Sequence, residues 1–223
     1  MDAERRAMSE RAFDIEKKSF EIIDAEVGTQ HQYYDEMQWS IVRRVIHSTA
    51  DFDFANSTTD RIIFHQNAIS SAFEAIRNKC TILTDVDMVR AAINKKSVTD
   101  LGLKTVCHIS DREVLEEARR SGMTRSEAAM RHGAKDMDGG IVTIGNAPTA
   151  LYEVIKMIKE EMITPALIIG LPVGFVSAQE SKEQLTKMDN VPFITNIGRK
   201  GGSPAASSII NALLLLYQSK GSS

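Results

Sequence analysis

The sequence predicts an α/β fold in which a five-stranded parallel sheet is covered on both faces by helices. Five short apolar runs follow Lys79, and each is followed by a stretch with helical periodicity and an identifiable helix start. Strands that alternate with helices form right-handed βαβ units. Because the apolar runs lack polar alternation, the strands are expected to be buried on both faces.

Three helices are predicted ahead of the sheet, over about residues 9–79. Apolar residues recur at helical spacing in 9–28, about 35–48 and roughly 67–78. At about 100° per residue, Ser19 falls inside the apolar arc of the first helix. We therefore expect a helical N-terminal portion packed on the sheet.

The alternating portion is predicted to span about residues 80–218. Its strands are the runs CTILTDV, KTVCHIS, GGIVTIGN, PALIIGLP and VPFITNIG. The helix starts are Asp111, the capping box of Thr124 with Glu127, Pro148, Ser177 with Glu180, and Ser203 with Pro204. No internal repeat or low-complexity linker divides the chain, so residues 1–223 are predicted to form one domain.

Composition and charge exclude several classes of function. The 223 residues are 43% apolar and carry a formal net charge of -3 with a pI near 6.0, so neither nucleic acid nor membrane is an expected partner. Cys80 and Cys107 form no CxxC pair, which favours reduced thiols in a cytoplasmic protein. The charged N-terminus has no signal-peptide pattern, and the apolar run IINALLLLY is too short for a bilayer.

Polar residues follow the predicted strands, where ligands of parallel sheets bind. They are Thr84 with Asp85, the Ser110 to Arg112 turn, and the segments GNAPT, GLPVGF and GRKGGSP. In the last segment Gly201 permits close backbone approach, and Arg199 with Lys200 could hold an anion. An ordinary glycine-rich turn explains that segment equally well.

Two further residues near helix starts are candidates for ligand binding. Asn146 could direct its amide into the crevice, although a helix cap is the simpler explanation. Arg125 is a cation at the positive end of a helix, which is mildly unfavourable without an anionic ligand.

The segment RRVIHSTADFDFA places one histidine beside two arginines. At helical pitch His47 lies about 60° from Arg44 and about 40° from Arg43, so the three share a polar face. Two cations disfavour a protonated imidazole, and a polycarboxylate bound to them would favour proton donation. A surface histidine on a basic face is the alternative.

Common catalytic and metal-binding patterns are missing. The histidines at 31, 65, 108 and 132 show no paired metal spacing, and no GxSxG, HExxH, SxxK, GxGxxG or phosphate loop occurs. No metal site is therefore expected, and a nucleotide is not specifically indicated.

Seven segments in order closely resemble the precorrin-8X methylmutase family, over about residues 13–215. They are EKKSFEII, RRVIHSTADFDFA, TDVDMV, MTRSEAAM, IGNAPTAL, IIGLPVGFVSAQESKEQL and VPFITNIGRKGGSP. The resemblance implies a flavodoxin-like, three-layer α/β/α fold and a homodimer. It implies an isomerase of cobalamin biosynthesis that moves a methyl group from carbon 11 to carbon 12 of a corrinoid, without a cofactor.

The resemblance also implies roles for particular residues. His47 matches the proposed catalytic acid, and Ser19, Arg44 and Arg125 match substrate-contacting residues. The segment STADFDFAN is more similar to members that act on cobalt-bearing substrates. A non-catalytic corrinoid-binding protein and a nucleotide-binding α/β protein remain the alternatives.

Overall fold

Six strands form one sheet in the computed structural model, which describes residues 2–220. They are β1 (Ile63–Phe64), β2 (Thr81–Thr84), β3 (Lys104–Val106), β4 (Ile141–Ile144), β5 (Leu167–Gly170) and β6 (Phe193–Thr195), in the order β1-β6-β5-β4-β2-β3. All neighbours are parallel except β1 and β6. The five parallel strands, numbered along the chain, have the order 2-1-3-4-5 of flavodoxin-like folds. The predicted fold class is confirmed.

The sequence analysis missed the edge strand β1. It has only two residues and pairs antiparallel with β6, with Ile63 opposite Thr195. Two residues are too few to show a periodic pattern in the sequence. The strand is defined by its backbone pairing with the free edge of β6.

Helices cover both faces of the sheet. They are α1 (Asp2–Val27), α2 (Glu36–Thr49), α3 (Asp53–Asn56), α4 (Ala68–Arg77), α5 (Asp87–Ala92), α6 (Lys95–Asp100), α7 (Arg112–Ser121), α8 (Arg125–His132), α9 (Ala134–Met137), α10 (Pro148–Lys159), α11 (Ala178–Thr186) and α12 (Ser203–Lys220), with a 3₁₀ helix at Gly28–Tyr33. The three predicted N-terminal helices correspond to α1, α2 and α4. The ends of the predicted domain, residues 1 and 221–223, lie outside the described residues.

The predicted helix starts are mostly correct. The capping box of Thr124 and Glu127 forms, and Pro148 occupies the first turn of α10. Ser177 is the N-cap residue of α11, but its backbone is left-handed and its side chain makes no capping bond. The helix nevertheless begins directly after Ser177, as predicted.

The core is divided between the two faces of the sheet. One cluster joins α1, α2, α4 and α12 to alternate strand residues such as Ile82 and Ile141. The other joins α7, α8 and α10 to the intervening residues, such as Leu83 and Val142. Phe13 is one of the apolar residues that recur at helical spacing in α1, but it is 65% exposed rather than packed on the sheet. Among residues 2–220, no helix combines the length and apolar character that crossing a bilayer requires.

Candidate active site

The carboxyl ends of β2 and β4 meet at the point where the strand order reverses, the usual ligand position in this topology. Asp85 follows β2 and is fully buried. Its carboxylate accepts hydrogen bonds from the backbone N–H groups of Gly145 (2.9 Å), Asn146 (2.8 Å) and Ala147 (2.8 Å). Burial raises the pKa of Asp85, and the three amide donors oppose this effect.

This geometry revises the expectation that Asp85 contacts a ligand. Because its oxygens are buried and hydrogen-bonded to the backbone, Asp85 instead holds the loop of residues 145–147 against β2. Asn146 has an exposed side chain, and the residue that caps α10 is Ala147. The capping explanation for Asn146 is therefore wrong, and its amide is accessible at the strand ends.

A buried polar network shapes the loop after β6. Lys182 is fully buried, and its Nζ donates to Asn196 Oδ1 (2.9 Å) and to the carbonyl oxygen of Lys200 (2.8 Å). Asp60 Oδ1 accepts from the backbone N–H of Lys200 at 3.0 Å. A Cβ on Gly201 would lie 2.3 Å from the carbonyl oxygen of Leu171, so only glycine fits there. Gly201 thus allows close packing of two loops.

The two cations of this loop have different surroundings. Lys200 forms ion pairs with Asp51 and Asp53, each at 2.7 Å, and these raise the pKa of its amine. Lys200 is therefore neutralised by the chain, contrary to its expected role in anion binding. Arg199 is exposed, and its guanidinium carbon lies 5.6 Å from the ring centre of Phe175. Arg199 remains available to an anionic ligand.

Burial of Lys182 predicts a pH-dependent stability. Burial lowers the pKa of this amine from 10.5 to about 8, with Asp60 opposing. Between these two values the unfolded chain binds more protons than the folded one, so the free energy of unfolding rises with pH. Between pH 8 and 10.5, the free energy of unfolding of the wild type should rise by about 3 kcal/mol relative to that of Lys182→Met.

Urea unfolding of both proteins across this pH range measures the effect. Subtracting the variant removes the contributions of the other titrating groups. A difference in unfolding free energy that stays constant with pH would contradict a depressed pKa for Lys182.

The last turn of α2 presents His47 on an exposed surface. The ring of Phe20, from α1, lies edge-on to the imidazole with a centroid separation of 5.4 Å. The guanidinium carbons of Arg43 and Arg44 lie 4.4 and 5.2 Å from the same ring centre. The shared polar face predicted for these three residues is confirmed, and α1 contributes an aromatic ring to it.

Acidic side chains of α1 pair with the two arginines. Arg43 contacts Asp24 at 2.9 Å, and Arg44 contacts Glu16 at 2.8 Å. All four side chains are partly exposed, and exposed pairs of this kind contribute little to stability. A ligand carboxylate can therefore replace Asp24 or Glu16 as the partner of an arginine at a small cost in free energy.

Ser19 directly precedes Phe20 on α1, and its side chain makes a local hydrogen bond. Its hydroxyl donates to the carbonyl oxygen of Ile15 at 2.8 Å, and the residue is half-buried. Since a hydroxyl oxygen can also accept, Ser19 keeps an acceptor for a ligand.

The end of α2 adjoins the start of α12. Ser48 Oγ lies 3.5 Å from the carbonyl oxygen of Pro204, and the two residues line a groove of about 270 Å³. Met88, at the edge of this groove, is 69% exposed, and Phe175 on the loop after β5 is 86% exposed. Exposed apolar side chains at the strand ends suit a large, flat, apolar ligand.

Arg125 is placed on the other side of the sheet from His47. It begins α8, which packs in the second core cluster, whereas α2 packs in the first. The preceding Thr124 contacts Thr149 of the GNAPT segment at 3.3 Å. Arg125 thus lies next to the loop after β4, and the sheet separates it from the arginines of α2.

Sequence reasoning missed the residues that support the loop after β6. Asp60 is far from Lys182 and Asn196 in sequence and belongs to none of the recognised segments, whereas Lys182 lies in the QESKEQL run and Asn196 in VPFITNIG. A lysine within an otherwise amphipathic helix gives no signal that it is buried.

Taken together, the features define a flavodoxin-like α/β protein. It carries an imidazole and two guanidinium groups on one face of α2, and exposed apolar side chains at its strand ends. The precorrin-8X methylmutase family model matches residues 14–216, and the chain belongs to this family. It is an isomerase of cobalamin biosynthesis.

Individual relatives agree with this assignment. The chain is 50% identical to the cobalt-precorrin-8 methylmutase of Priestia megaterium, over 92% of this chain and 88% of the relative. It is 45% identical to the enzyme of that name from Leptospira interrogans, over 93% and 95%. The crystal structure of precorrin-8x methyl mutase from Thermus thermophilus superposes with a TM-score of 0.83 at 36% identity, covering 93% of this chain and 97% of that one.

Proposed function

We propose that this chain moves the methyl group on carbon 11 of cobalt-precorrin-8 to carbon 12, giving cobyrinate. The observation that carries the proposal is an exposed imidazole, His47, on one face with two guanidinium groups and beside an apolar groove. The preference for the cobalt-bearing substrate rests on relatives named cobalt-precorrin-8 methylmutase, which are up to 50% identical, against 33% and 34% for two named precorrin-8X methylmutase.

In this proposal the chemistry needs one acid and no cofactor. A methyl shift between adjacent ring atoms needs no nucleophile, and protonation of the macrocycle by His47 withdraws electron density and lowers the barrier. Carboxylate arms of the substrate pair with Arg43, Arg44 and Arg199, while Asn146 and Ser19 offer neutral hydrogen bonds. The loop glycine Gly201 and the buried Asp85 shape the crevice without touching the substrate.

A conversion assay tests the proposal. Purified protein is mixed with cobalt-precorrin-8 and, in parallel, with metal-free precorrin-8X, and the visible spectrum is followed. Conversion of the cobalt form to the corrin chromophore is the expected result. A bound but unchanged spectrum would indicate a non-catalytic corrinoid-binding protein, and faster conversion of the metal-free form would reverse the substrate preference.

Arg44→Ala should mainly weaken substrate binding. A charge-assisted hydrogen bond contributes about 1.5–3 kcal/mol, which corresponds to a Kd about 10- to 150-fold higher. Spectroscopic titration with the product measures the change. Arg77→Ala, at the exposed end of α4, is the matched control and should leave the Kd unchanged. An unchanged Kd for Arg44→Ala would remove this arginine from the binding site.

We also propose a cytoplasmic homodimer. Ile15 and Ile22 are 58% and 53% exposed and lie seven residues apart, on one face of α1. A second copy would cover this face, and it could bring its own Arg125 to a ligand held at His47. Sedimentation should give twice the 24.7 kDa chain mass. Monomers at micromolar concentration would refute the dimer.

A further inference from the structure

A histidine and aspartate cluster lies at the end of β3, on the edge of the sheet. His108 is partly buried, and its Nδ1 lies 2.6 Å from Asp111 Oδ2 while its Nε2 lies 3.0 Å from Asp136 Oδ2. The ring of His132, at the end of α8, has its centroid 5.0 Å from that of His108. One ligand atom from each of His108, Asp111 and His132 lies within 4.8 Å of the other two.

The position of Asp111 is informative. It is the N-cap residue of α7, where an aspartate normally accepts a hydrogen bond from the first turn of the helix. Here the side chain makes no capping bond, and its carboxylate contacts His108 instead. The carboxylate is thus directed into the cluster rather than onto the helix.

Asp136 completes an arrangement found around protein-bound metals. A histidine that binds a metal usually donates its other ring N–H to a carboxylate, which sets the tautomer and the orientation of the ring. Asp136 occupies Nε2 of His108, which leaves Nδ1 facing Asp111.

We propose that His108, Asp111 and His132 bind a divalent transition metal such as Zn²⁺, with Asp136 orienting His108. Two imidazole nitrogens and one carboxylate oxygen form a common zinc donor set, and water would supply the fourth ligand. Ligand atoms around tetrahedral zinc lie roughly 3.3 Å apart, given zinc–ligand distances of about 2.0–2.1 Å. The His108–Asp111 contact must open by several tenths of an ångström, and the exposed His132 must move inward.

A proton is the competitor of the metal. Burial lowers the pKa of His108, but its hydrogen bonds to Asp111 and Asp136 outweigh this and raise it. The alternative state of the cluster is therefore an imidazolium between two carboxylates, with His132 as a neighbour only. Asp111 contacts His108 in both states, whereas only the metal-bound state needs His132 as a ligand.

A metal here would join separate elements of the fold. His108 and Asp111 belong to the turn between β3 and α7, and His132 is the last residue of α8. The opposite end of α8 carries Arg125 beside the GNAPT segment. The site would fix α8 against the sheet and would stabilise the folded chain without taking part in methyl transfer.

Zinc titration of the untagged, chelator-treated protein tests the proposal. We expect one Zn²⁺ per chain by calorimetry, and a melting temperature that rises with added Zn²⁺. His132→Asn and Asp111→Ala should each weaken binding at least about tenfold. His31→Asn, an exposed histidine outside the cluster, is the matched control and should bind normally.

Co²⁺ provides a second measurement. Visible absorption bands of a tetrahedral nitrogen–oxygen site should appear in the wild type and in His31→Asn, and should be absent in His132→Asn. Far-ultraviolet circular dichroism verifies that each variant folds. Failure of the wild type to bind Zn²⁺, or equal binding by His132→Asn, would overturn the proposal. Methylmutase activity is scored separately, so either proposal can fail alone.

Discussion

Replacing His47 by alanine is expected to lower kcat by about 10²- to 10⁴-fold, the usual contribution of a general acid. Binding should persist, because the guanidinium groups of Arg43 and Arg44 and the apolar groove are unchanged. The Kd for the product should therefore stay close to the wild-type value. Single-turnover kinetics with cobalt-precorrin-8, together with a spectroscopic titration, separates the two quantities.

His31→Ala is the matched control for this experiment. His31 is exposed on the 3₁₀ helix and contacts Trp39 rather than the groove, so its loss should leave kcat unchanged. If His47→Ala turned over at the wild-type rate, the acid would have to be another group. A raised Kd with normal kcat would instead make His47 a binding residue.

Asp85→Ala should be the most destabilising of the substitutions considered. Three backbone N–H groups would lose their acceptor, each at about 1–3 kcal/mol, while relief of a buried carboxylate returns part of this. A net loss of about 3 kcal/mol in the free energy of unfolding is expected. Because the loop of residues 145–147 is released, substrate affinity should fall as well.

Urea unfolding and product titration measure both effects. Asp85→Asn should fall between wild type and alanine, since its one oxygen can still serve the N–H groups of Asn146 and Ala147, which share Oδ2. Asp189→Ala, at an exposed position, is the control and should leave stability nearly unchanged. Wild-type stability in Asp85→Ala would refute a loop-holding role.

The local part of the site could be predicted from the sequence. His47, Arg43 and Arg44 share a face because helical pitch brings residues three and four apart together, and this pitch holds in any surroundings. The strand-to-helix alternation is local in the same sense, and it predicted the five parallel strands and most of the helix starts.

Contacts across long sequence separations required the tertiary structure. Asp85 was predicted at the right strand end, but its bonds to residues 145–147 depend on β2 and β4 being neighbours. The ion pairs of Lys200 with Asp51 and Asp53 likewise join distant segments and changed the expected role of that lysine.

The sequence by itself determined the class of fold, the family and the polar face of α2, because periodicity, caps and ordered motifs are properties of short segments. Only the tertiary structure decided which carboxylates are buried against backbone amides and that Lys182 lies inside the protein. It also decided that His108, Asp111 and His132 meet. The physical reason is that burial and charge pairing depend on which distant segments the packed sheet brings into contact, and no local pattern specifies those neighbours.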